Sequence, residues 1–245
     1  MISVILAAGT ATRMRPLSYY IPKILLPVKG KPVLEYLMRN LQGLDIKMHY
    51  VVVSEQYEIV KNYINNSTLE NVKLVKGLGW ETGGDLALAL EQIGVADDAI
   101  VMNGDIVTDL DITPVYDAHV ASHAYATIAL FALEDLGEAR RFGQIELGPN
   151  SFITRFWEKP ESPGYGSPIV NTGFYVFDRR LIAKRAEYLV PKKTRLEFEL
   201  FPRLAKEKKL FGVISQLGYW WDVGTLDSYL KAEEYFVTGK GVIPP

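Results

Sequence analysis

The strongest constraint on the fold is the alternation of strand-like and helix-like patterns over the first 105 residues. Short apolar runs rich in valine and isoleucine, typical of buried strands, occur at residues 2–6, 50–53, 72–75 and 99–102. Apolar residues at helical spacing lie between them, at residues 33–41, 57–64 and 86–93. This alternation predicts an α/β fold with a Rossmann-like mixed, mostly parallel sheet flanked by helices. In such sheets, ligands bind beyond the carboxyl ends of the strands.

After residue 124 the pattern changes, and strand-like runs follow one another with turn residues between them. These runs lie at residues 125–133, 143–147, 152–157 and 169–177. Helical patterns return at residues 179–188, 197–206 and 226–236, the last preceded by Thr225 as a predicted N-cap. No linker-like segment separates the two parts. We therefore expect one domain over residues 1–245, with inserted strands on the substrate side of the sheet.

The composition excludes several classes of function. A net charge of −2 over 245 residues argues against a nucleic-acid partner, which would require a basic face. The chain has no cysteine, so disulfides and thiolate metal sites are excluded. The apolar start, residues 2–8, is too short for a membrane span and lacks a basic leader. We expect a cytoplasmic protein without a membrane partner.

The first strand-like run opens into small residues and then into cations. Ala7, Ala8 and Gly9 follow the run, and Arg13 and Lys23 come shortly after. A small-residue loop exposes backbone amides to a ligand, and cations beyond it can neutralise a polyphosphate. A buried strand with a turn and solvated arginines explains the same residues equally well. The segment has neither the spaced glycines of a dinucleotide fingerprint nor the Gly-Lys-Ser/Thr of a P-loop.

This segment resembles the signature of the sugar-1-phosphate nucleotidyltransferases (NDP-sugar pyrophosphorylases), Leu-Ala-x-Gly-x-Gly-Thr-Arg followed by a lysine. The matching residues are Leu6, Ala7, Gly9, Thr12, Arg13 and Lys23. The resemblance implies that Arg13 and Lys23 are catalytic. It implies that the nucleotide binds along the loop formed by Leu6, Ala7, Ala8, Gly9, Thr10, Ala11 and Thr12. The implied fold is of the nucleotide-diphospho-sugar transferase type.

The chain departs from the signature at its second glycine, which is Ala11. If the loop needs a positive φ at this position, alanine costs roughly 1 kcal/mol or more. At ordinary backbone angles the alanine is harmless.

Two aspartates follow strand-like runs that lie far apart in the sequence. Asp105 comes after Gly104, and Asp222 lies in the segment from Trp220 to Thr225. Each alone is more typical of a turn or a helix cap, whereas together they could hold one Mg²⁺ against a triphosphate. The resemblance implies that Asp105 and Asp222 are the metal ligands, with Gly104 beside the nucleotide. The two tryptophans, Trp220 and Trp221, are predicted to pack in the core.

Further segments gain a function only through the resemblance. Glu158-Lys159-Pro160 alone reads as a solvated strand end, and Asn171-Thr172-Gly173 as a bulge in a strand. The resemblance implies that the sugar phosphate is bound by Gly143, Glu158, Lys159, Asn171 and Thr172. The halves 1–123 and 124–236 would then be mainly nucleotide-binding and mainly sugar-phosphate-binding.

Glu81-Thr82-Gly83-Gly84 is, from its residues alone, a loop that begins a helix. The resemblance implies that Thr82, Gly83 and Gly84 face the base and ribose. The Glu-Thr-Gly-Gly form is similar to that of short bacterial N-acetylmuramate-1-phosphate uridylyltransferases.

The implied reaction joins an NTP to a hexose-1-phosphate with Mg²⁺, giving an NDP-sugar and pyrophosphate. The resemblance leaves the base, the sugar and the formation of a homo-oligomer open. A glycosyltransferase is one alternative, because Asp109-Leu110-Asp111 has the Asp-x-Asp spacing. A non-catalytic sugar-nucleotide sensor is another, favoured only by Ala11. His119 and His123 are four residues apart, and we expect them to be solvated or helix-capping rather than zinc ligands.

Overall fold

The computed structural model describes residues 1–94, 97–134, 136–158 and 167–238. The strands are β1 (Ile2–Leu6), β2 (Pro27–Val28), β3 (Lys31–Pro32), β4 (His49–Val53), β5 (Val72–Lys76), β6 (Ala99–Asn103), β7 (Ile106–Thr108), β8 (Ala126–Ala132), β9 (Gly143–Leu147), β10 (Ile153–Glu158), β11 (Ile169–Phe177), β12 (Leu210–Ile214) and β13 (Trp220–Asp222). The helices are α1 (Val33–Arg39), α2 (Tyr57–Asn66), α3 (Glu81–Ile93), α4 (Thr113–Ser122), α5 (Leu136–Ala139), α6 (Arg179–Ala183), α7 (Arg185–Tyr188), α8 (Leu200–Lys206) and α9 (Leu226–Thr238).

The main sheet has the strand order β10-β9-β11-β6-β1-β4-β5, and β8 pairs with both β11 and β12. Strands β6, β1, β4 and β5 are parallel to one another, because each is followed by a helix that returns the chain to the same end. Strand β11 enters antiparallel to β6, and β9 and β10 extend the sheet from it. The sheet confirms the predicted α/β fold, with the inserted strands on one side.

The main sheet is buried on both faces. Consecutive residues of one strand enter different apolar clusters: Val4 packs on one face and Ile5 on the other, as do Val101 and Met102. Side chains alternate along a strand, so a strand covered on both faces carries mostly apolar residues at consecutive positions. This explains why β1 and β6 have no polar alternation.

The segment from β13 to α9 is held against earlier parts of the chain outside the main sheet. Strand β13 pairs antiparallel with β7, so that Asp222 stands opposite Ile106. Helix α9 follows, and Thr225 caps it by accepting a hydrogen bond from the backbone N–H of Ser228 at 3.2 Å, as predicted. The hydroxyl of Tyr229 in this helix donates to the carbonyl of Pro27 at 2.7 Å. The late part of the chain is thereby fixed against the early part.

Some local predictions are wrong. The helical pattern at 179–188 is broken at Lys184, where ψ is 19°, and gives α6 and α7. His119 is not solvated: it is buried, and its Nδ1 lies 2.8 Å from the Thr127 hydroxyl, because α4 packs this face against β8. His123 does occupy the C-cap of α4, with φ of 55°. Within the described ranges, no helix is long and apolar enough to cross a membrane.

Candidate active site

A cavity of about 590 Å³ opens where the strands of the main sheet end. Its wall follows the strand order: Gly79 after β5 and Ala8 after β1 lie towards one end, and Asn103 after β6 is central. Asn171 of β11 and Glu158 of β10 lie towards the other end. The volume is within the range of ligand pockets, about 300–1,000 Å³. The sheet therefore presents one elongated site along its edge.

The loop after β1 forms a large part of this wall. The predicted nucleotide-binding residues that line the cavity here are Leu6, Ala8, Gly9, Thr10, Ala11 and Thr12. Ala11 has φ of 46° and ψ of 40°, the left-handed conformation, and its carbonyl accepts the N–H of Met14 at 2.9 Å. The loop does need a positive φ at this position, so the alanine carries a backbone strain of about 1–2 kcal/mol.

Two of the predicted nucleotide-binding residues lie behind this wall. Ala7 is absent from the lining, and its N–H donates to the carbonyl of Val52 at 2.9 Å. Gly104 donates to the carbonyl of Leu6 at 2.9 Å, and a Cβ at this position would lie 2.8 Å from that oxygen. The glycine is therefore required because the β1 and β6 chain ends approach each other closely.

The predicted cations and acids meet in the middle of the cavity. Arg13, Lys23, Asp105 and Asp222 all line it, and Lys23 Nζ forms an ion pair with Asp105 Oδ2. Asp222 Oδ1 accepts the N–H of Gly224 at 2.7 Å. Partial burial and then the negative charge of Asp105 raise the pKa of Asp222, against the opposing charge of Lys23. The two carboxylates are therefore close enough to repel each other.

This acidic pair fits a divalent cation. The donors are two carboxylates, the hard oxygen ligands that Mg²⁺ takes in ones and twos beside phosphate oxygens. Burial first, and then the negative charge of Asp105, raises the pKa of Asp222, and a bound cation would oppose both effects by stabilising the ionised carboxylate. Among the described residues there is no cluster of three or more acidic or histidine side chains suited to a metal. Asp105 and Asp222 would therefore hold the cation together with ligand oxygens.

The predicted sugar-phosphate residues lie at the β9–β10–β11 end of the cavity, where Gly143, Glu158, Asn171 and Thr172 line it. Gly143 pairs with Glu158 across the β10–β9 ladder, and a Cβ at Gly143 would lie 2.9 Å from Glu158 Oε2. Asn171 Nδ2 donates to the Tyr175 hydroxyl at 2.9 Å. The glycine thus leaves space beside the glutamate. Lys159 lies outside the described residues.

Thr82 also lines the cavity, in the first turn of α3. Its hydroxyl donates to Glu197 Oε2 at 2.8 Å and accepts the N–H of Leu196 at 3.1 Å. Thr82 therefore joins α3 to a segment 115 residues later in the chain.

Gly83 and Gly84 are not in the wall. Both donate from their backbone N–H to the carbonyl of Thr194, at 2.9 and 3.2 Å. A Cβ at Gly84 would lie 2.2 Å from the carbonyl oxygen of Lys192. The two glycines allow the segment 192–195 to pack directly against α3, which brings the following residues to the cavity.

Sequence reasoning missed this segment as part of the site. Arg195 pairs with Glu81 at 3.1 Å, and Glu197 is buried beside Thr82. The charged residues at 192–199 are typical of a solvated segment. Only Gly83 and Gly84 indicated that another part of the chain packs closely against α3. The other cavity residues that were not predicted are Gly79, Asp85, Asn103, Ile106, Arg141, Phe142, Gly173, Lys193, Trp220 and Gly224.

The Asp-x-Asp segment has a structural role. Asp109 accepts the backbone N–H groups of Gly218 and Tyr219 at 3.0–3.2 Å, and Asp111 accepts that of Thr113 at 2.9 Å. Neither aspartate lines the cavity. These contacts anchor the loop that leads into β13 and begin α4.

Known proteins with similar sequences match nearly the whole of this chain. The chain is 32% identical over 242 residues to the bifunctional protein GlmU of Methanococcus maripaludis, covering 97% of this chain and 54% of that protein. It is 29% identical over 246 residues to the mannose-1-phosphate guanylyltransferase of Mycobacterium tuberculosis, covering 97% and 65%. The chain thus spans 54% of the length of the first relative and 65% of the second.

The fold is also found in solved structures. HddC from Yersinia pseudotuberculosis superposes with a TM-score of 0.76 at 24% identity, covering 96% of this chain and all of that one. The nucleotidyl transferase family model matches residues 2–238. Since this match runs from β1 through the last residue of α9, the protein belongs to the nucleotidyl transferase family.

Proposed function

We propose that this chain transfers a nucleotidyl group from an NTP to a sugar-1-phosphate, forming an NDP-sugar and pyrophosphate. One observation carries the proposal: Arg13, Lys23, Asp105 and Asp222 converge at the centre of one cavity. On one side lies the small-residue loop after β1, and on the other the polar residues of β10 and β11. The name of the guanylyltransferase relative supports a sugar-1-phosphate as the acceptor.

The proposed reaction needs positioning and charge neutralisation more than a general base. An oxygen of the sugar phosphate, already ionised, attacks the α-phosphorus in line, and the bond to the β-phosphate oxygen breaks as pyrophosphate leaves. Arg13 holds the β- and γ-phosphates, and Lys23 neutralises the α-phosphate. No covalent enzyme intermediate forms.

Asp105 and Asp222 would hold Mg²⁺, which supplies neutralisation of phosphate charge when it is bound. Lys159 is proposed to hold the acceptor phosphate. Glu158, Asn171, Thr172 and the space beside Gly143 would receive the sugar hydroxyls. A cytoplasmic location stays a prediction from the sequence, which leaves the formation of a homo-oligomer open.

The test is pyrophosphate release with Mg²⁺, with each NTP paired with glucose-, mannose-, N-acetylglucosamine- and N-acetylmuramate-1-phosphate. We expect at least one pair to release pyrophosphate, and Asp105→Asn to remove most of this turnover while the circular-dichroism spectrum is retained. Full activity of Asp105→Asn would refute the metal assignment. If no pair reacts although an NTP still binds, the non-catalytic sensor becomes the better interpretation.

A further inference from the structure

A buried carboxylate at one end of the cavity has no role in the proposed transfer. Asp85 is only 3% exposed, yet it lines the cavity together with Ala8 and Gly79. Its Oδ1 accepts the backbone N–H of Leu78 at 2.8 Å. Within the described part of the chain, its Oδ2 has no hydrogen-bond donor and no cation pairs with it. Because Asp85 lines the cavity, this second oxygen is a hydrogen-bond acceptor that a donor of a bound ligand can meet.

The neighbouring backbone leaves room for this carboxylate. A Cβ at Gly77 would lie 3.1 Å from Asp85 Oδ1 and 2.7 Å from the Cβ of Ala8, so a side chain there would displace one of them. Gly79 has φ of 69°, which glycine adopts without strain. The chain between β5 and α3 thus turns closely around Asp85.

The position of Asp85 along the sheet edge indicates which part of a bound nucleotide lies beside it. The proposed phosphate cations, Arg13 and Lys23, lie next to β1 and β6, and the polar residues for the sugar lie beyond them on β11 and β10. Asp85 lies in the opposite direction, beside the end of β5. Given the proposed function, on which this step rests, the remaining part of the NTP, its base, occupies the end of the cavity at Asp85.

We propose that Asp85 Oδ2 accepts hydrogen bonds from the base of the nucleotide and thereby selects guanine. An ionised carboxylate only accepts hydrogen bonds. Guanine offers it two adjacent donors, N1–H and the exocyclic N2 amine. Uracil and thymine offer one N3–H flanked by two carbonyl oxygens that repel the carboxylate. Adenine and cytosine offer an amine beside a ring nitrogen acceptor, so guanine alone presents an unopposed pair of donors.

Equilibrium binding to the full chain tests the proposal without requiring turnover. We expect GTP to bind at least about tenfold more tightly than UTP, dTTP, ATP or CTP, the discrimination typical of a hydrogen bond to a charged group. Inosine triphosphate, which keeps N1–H but lacks the N2 amine, should fall between GTP and UTP. Equal affinities, a preference for another base, or no binding by any of the nucleotides would overturn the proposal.

The variant Asp85→Asn distinguishes base reading from a purely structural role. Its side-chain oxygen can still accept the N–H of Leu78, but the second position becomes an NH₂ donor facing N1–H. We expect GTP affinity to fall about 10- to 100-fold while UTP affinity changes less than about threefold. Glu91→Gln, an exposed acid-to-amide change on the same helix, is the matched control and should leave both affinities unchanged. An equal loss for all nucleotides would mean that Asp85 only supports the loop.

The two proposals fail differently. A guanine preference in binding that disappears in Asp85→Asn, without pyrophosphate release for any acceptor, would refute the transferase and retain the base reading. Pyrophosphate release at the same rate with every base would support the transferase and refute base selection by Asp85.

Discussion

Lys23 and Asp105 form an ion pair across the centre of the cavity, although 82 residues separate them in the chain. The lysine follows the small-residue loop, and the aspartate follows β6, so the pair joins the ends of two neighbouring strands. It neutralises one of the two carboxylates and leaves Asp222 with the raised pKa. Burial and the charge of Asp105 raise this pKa, whereas the charges of Lys23 and Arg13 oppose the rise.

Asp222→Asn should separate activity from stability. The amide keeps an oxygen for the N–H of Gly224 and removes the charge that Asp105 repels. We expect pyrophosphate release to fall at least about 100-fold, because half of the acidic pair is lost. The midpoint temperature of thermal unfolding, measured without metal, should rise. Activity assays and differential scanning calorimetry measure the two effects.

Asp109→Asn is the matched change in the Asp-x-Asp segment. It should lower stability and leave activity unchanged. It weakens the bonds to the N–H groups of Gly218 and Tyr219 and lies outside the cavity. We expect a loss of about 1 kcal/mol in the free energy of unfolding, with pyrophosphate release retained. Loss of pyrophosphate release in this variant while the fold is retained would contradict a purely structural role for Asp109.

Ala11→Gly should stabilise the protein. Glycine adopts φ of 46° without the left-handed penalty of alanine, about 1–2 kcal/mol, although it is more flexible when unfolded by about 0.5–1 kcal/mol. The expected net gain is about 0.5–1 kcal/mol in urea-induced unfolding. Ala121→Gly, at an exposed position in α4, should instead lose up to about 1 kcal/mol. If Ala11→Gly and Ala121→Gly lowered the free energy of unfolding by the same amount, the left-handed conformation of Ala11 would be contradicted.

Thr82→Val should loosen the segment that carries Glu197. The valine has a similar shape but loses the bonds to the Glu197 carboxylate and to the N–H of Leu196. We expect the free energy of unfolding to fall by about 1–3 kcal/mol, since a buried carboxylate loses one hydrogen bond and a backbone N–H loses its acceptor. Amide hydrogen exchange at residues 194–197 should become faster. Thr82→Ser keeps the hydroxyl, and it should behave like the wild type in both measurements.

The burial of His119 should make the protein less stable in mild acid. Burial lowers its pKa below the ordinary 6.5, an effect that Asp178 and Asp98 reduce and Arg180 slightly reinforces. The unfolded chain therefore binds a proton first as the pH falls below about 6.5, and the stability from His119 is lost between this value and the lower folded pKa. The free energy of unfolding should be smaller at pH 5.5 than at pH 7.5.

His119→Asn should reduce this dependence on pH. The asparagine can replace Nδ1 as the partner of the Thr127 hydroxyl and does not titrate. A part of the dependence should remain, because burial also lowers the pKa of His49. The same difference between the two pH values in wild type and variant would show that His119 does not contribute.

The strands were predictable because their sequence pattern is local. The run at 169–177 becomes β11 with the same bounds, since residues of high strand propensity lie on both sides of its short polar segment at 171–173. Pairing between distant segments leaves no such pattern. Nothing in the residues around Asp222 indicates that β13 lies against β7, and only the family resemblance joined it to Asp105. Asp85 was missed for the same reason, because its environment comes from β5 and the loop after β1.

The pairing of β13 with β7 also has a consequence for the order in which the protein is made. A chain emerging from the ribosome presents Arg13, Lys23 and Asp105 early, with the strands that hold them. Asp222 follows 117 residues after Asp105 and reaches its position only when β13 joins β7. Both cations and one of the two acids of the cavity are therefore synthesised long before the second acid, Asp222.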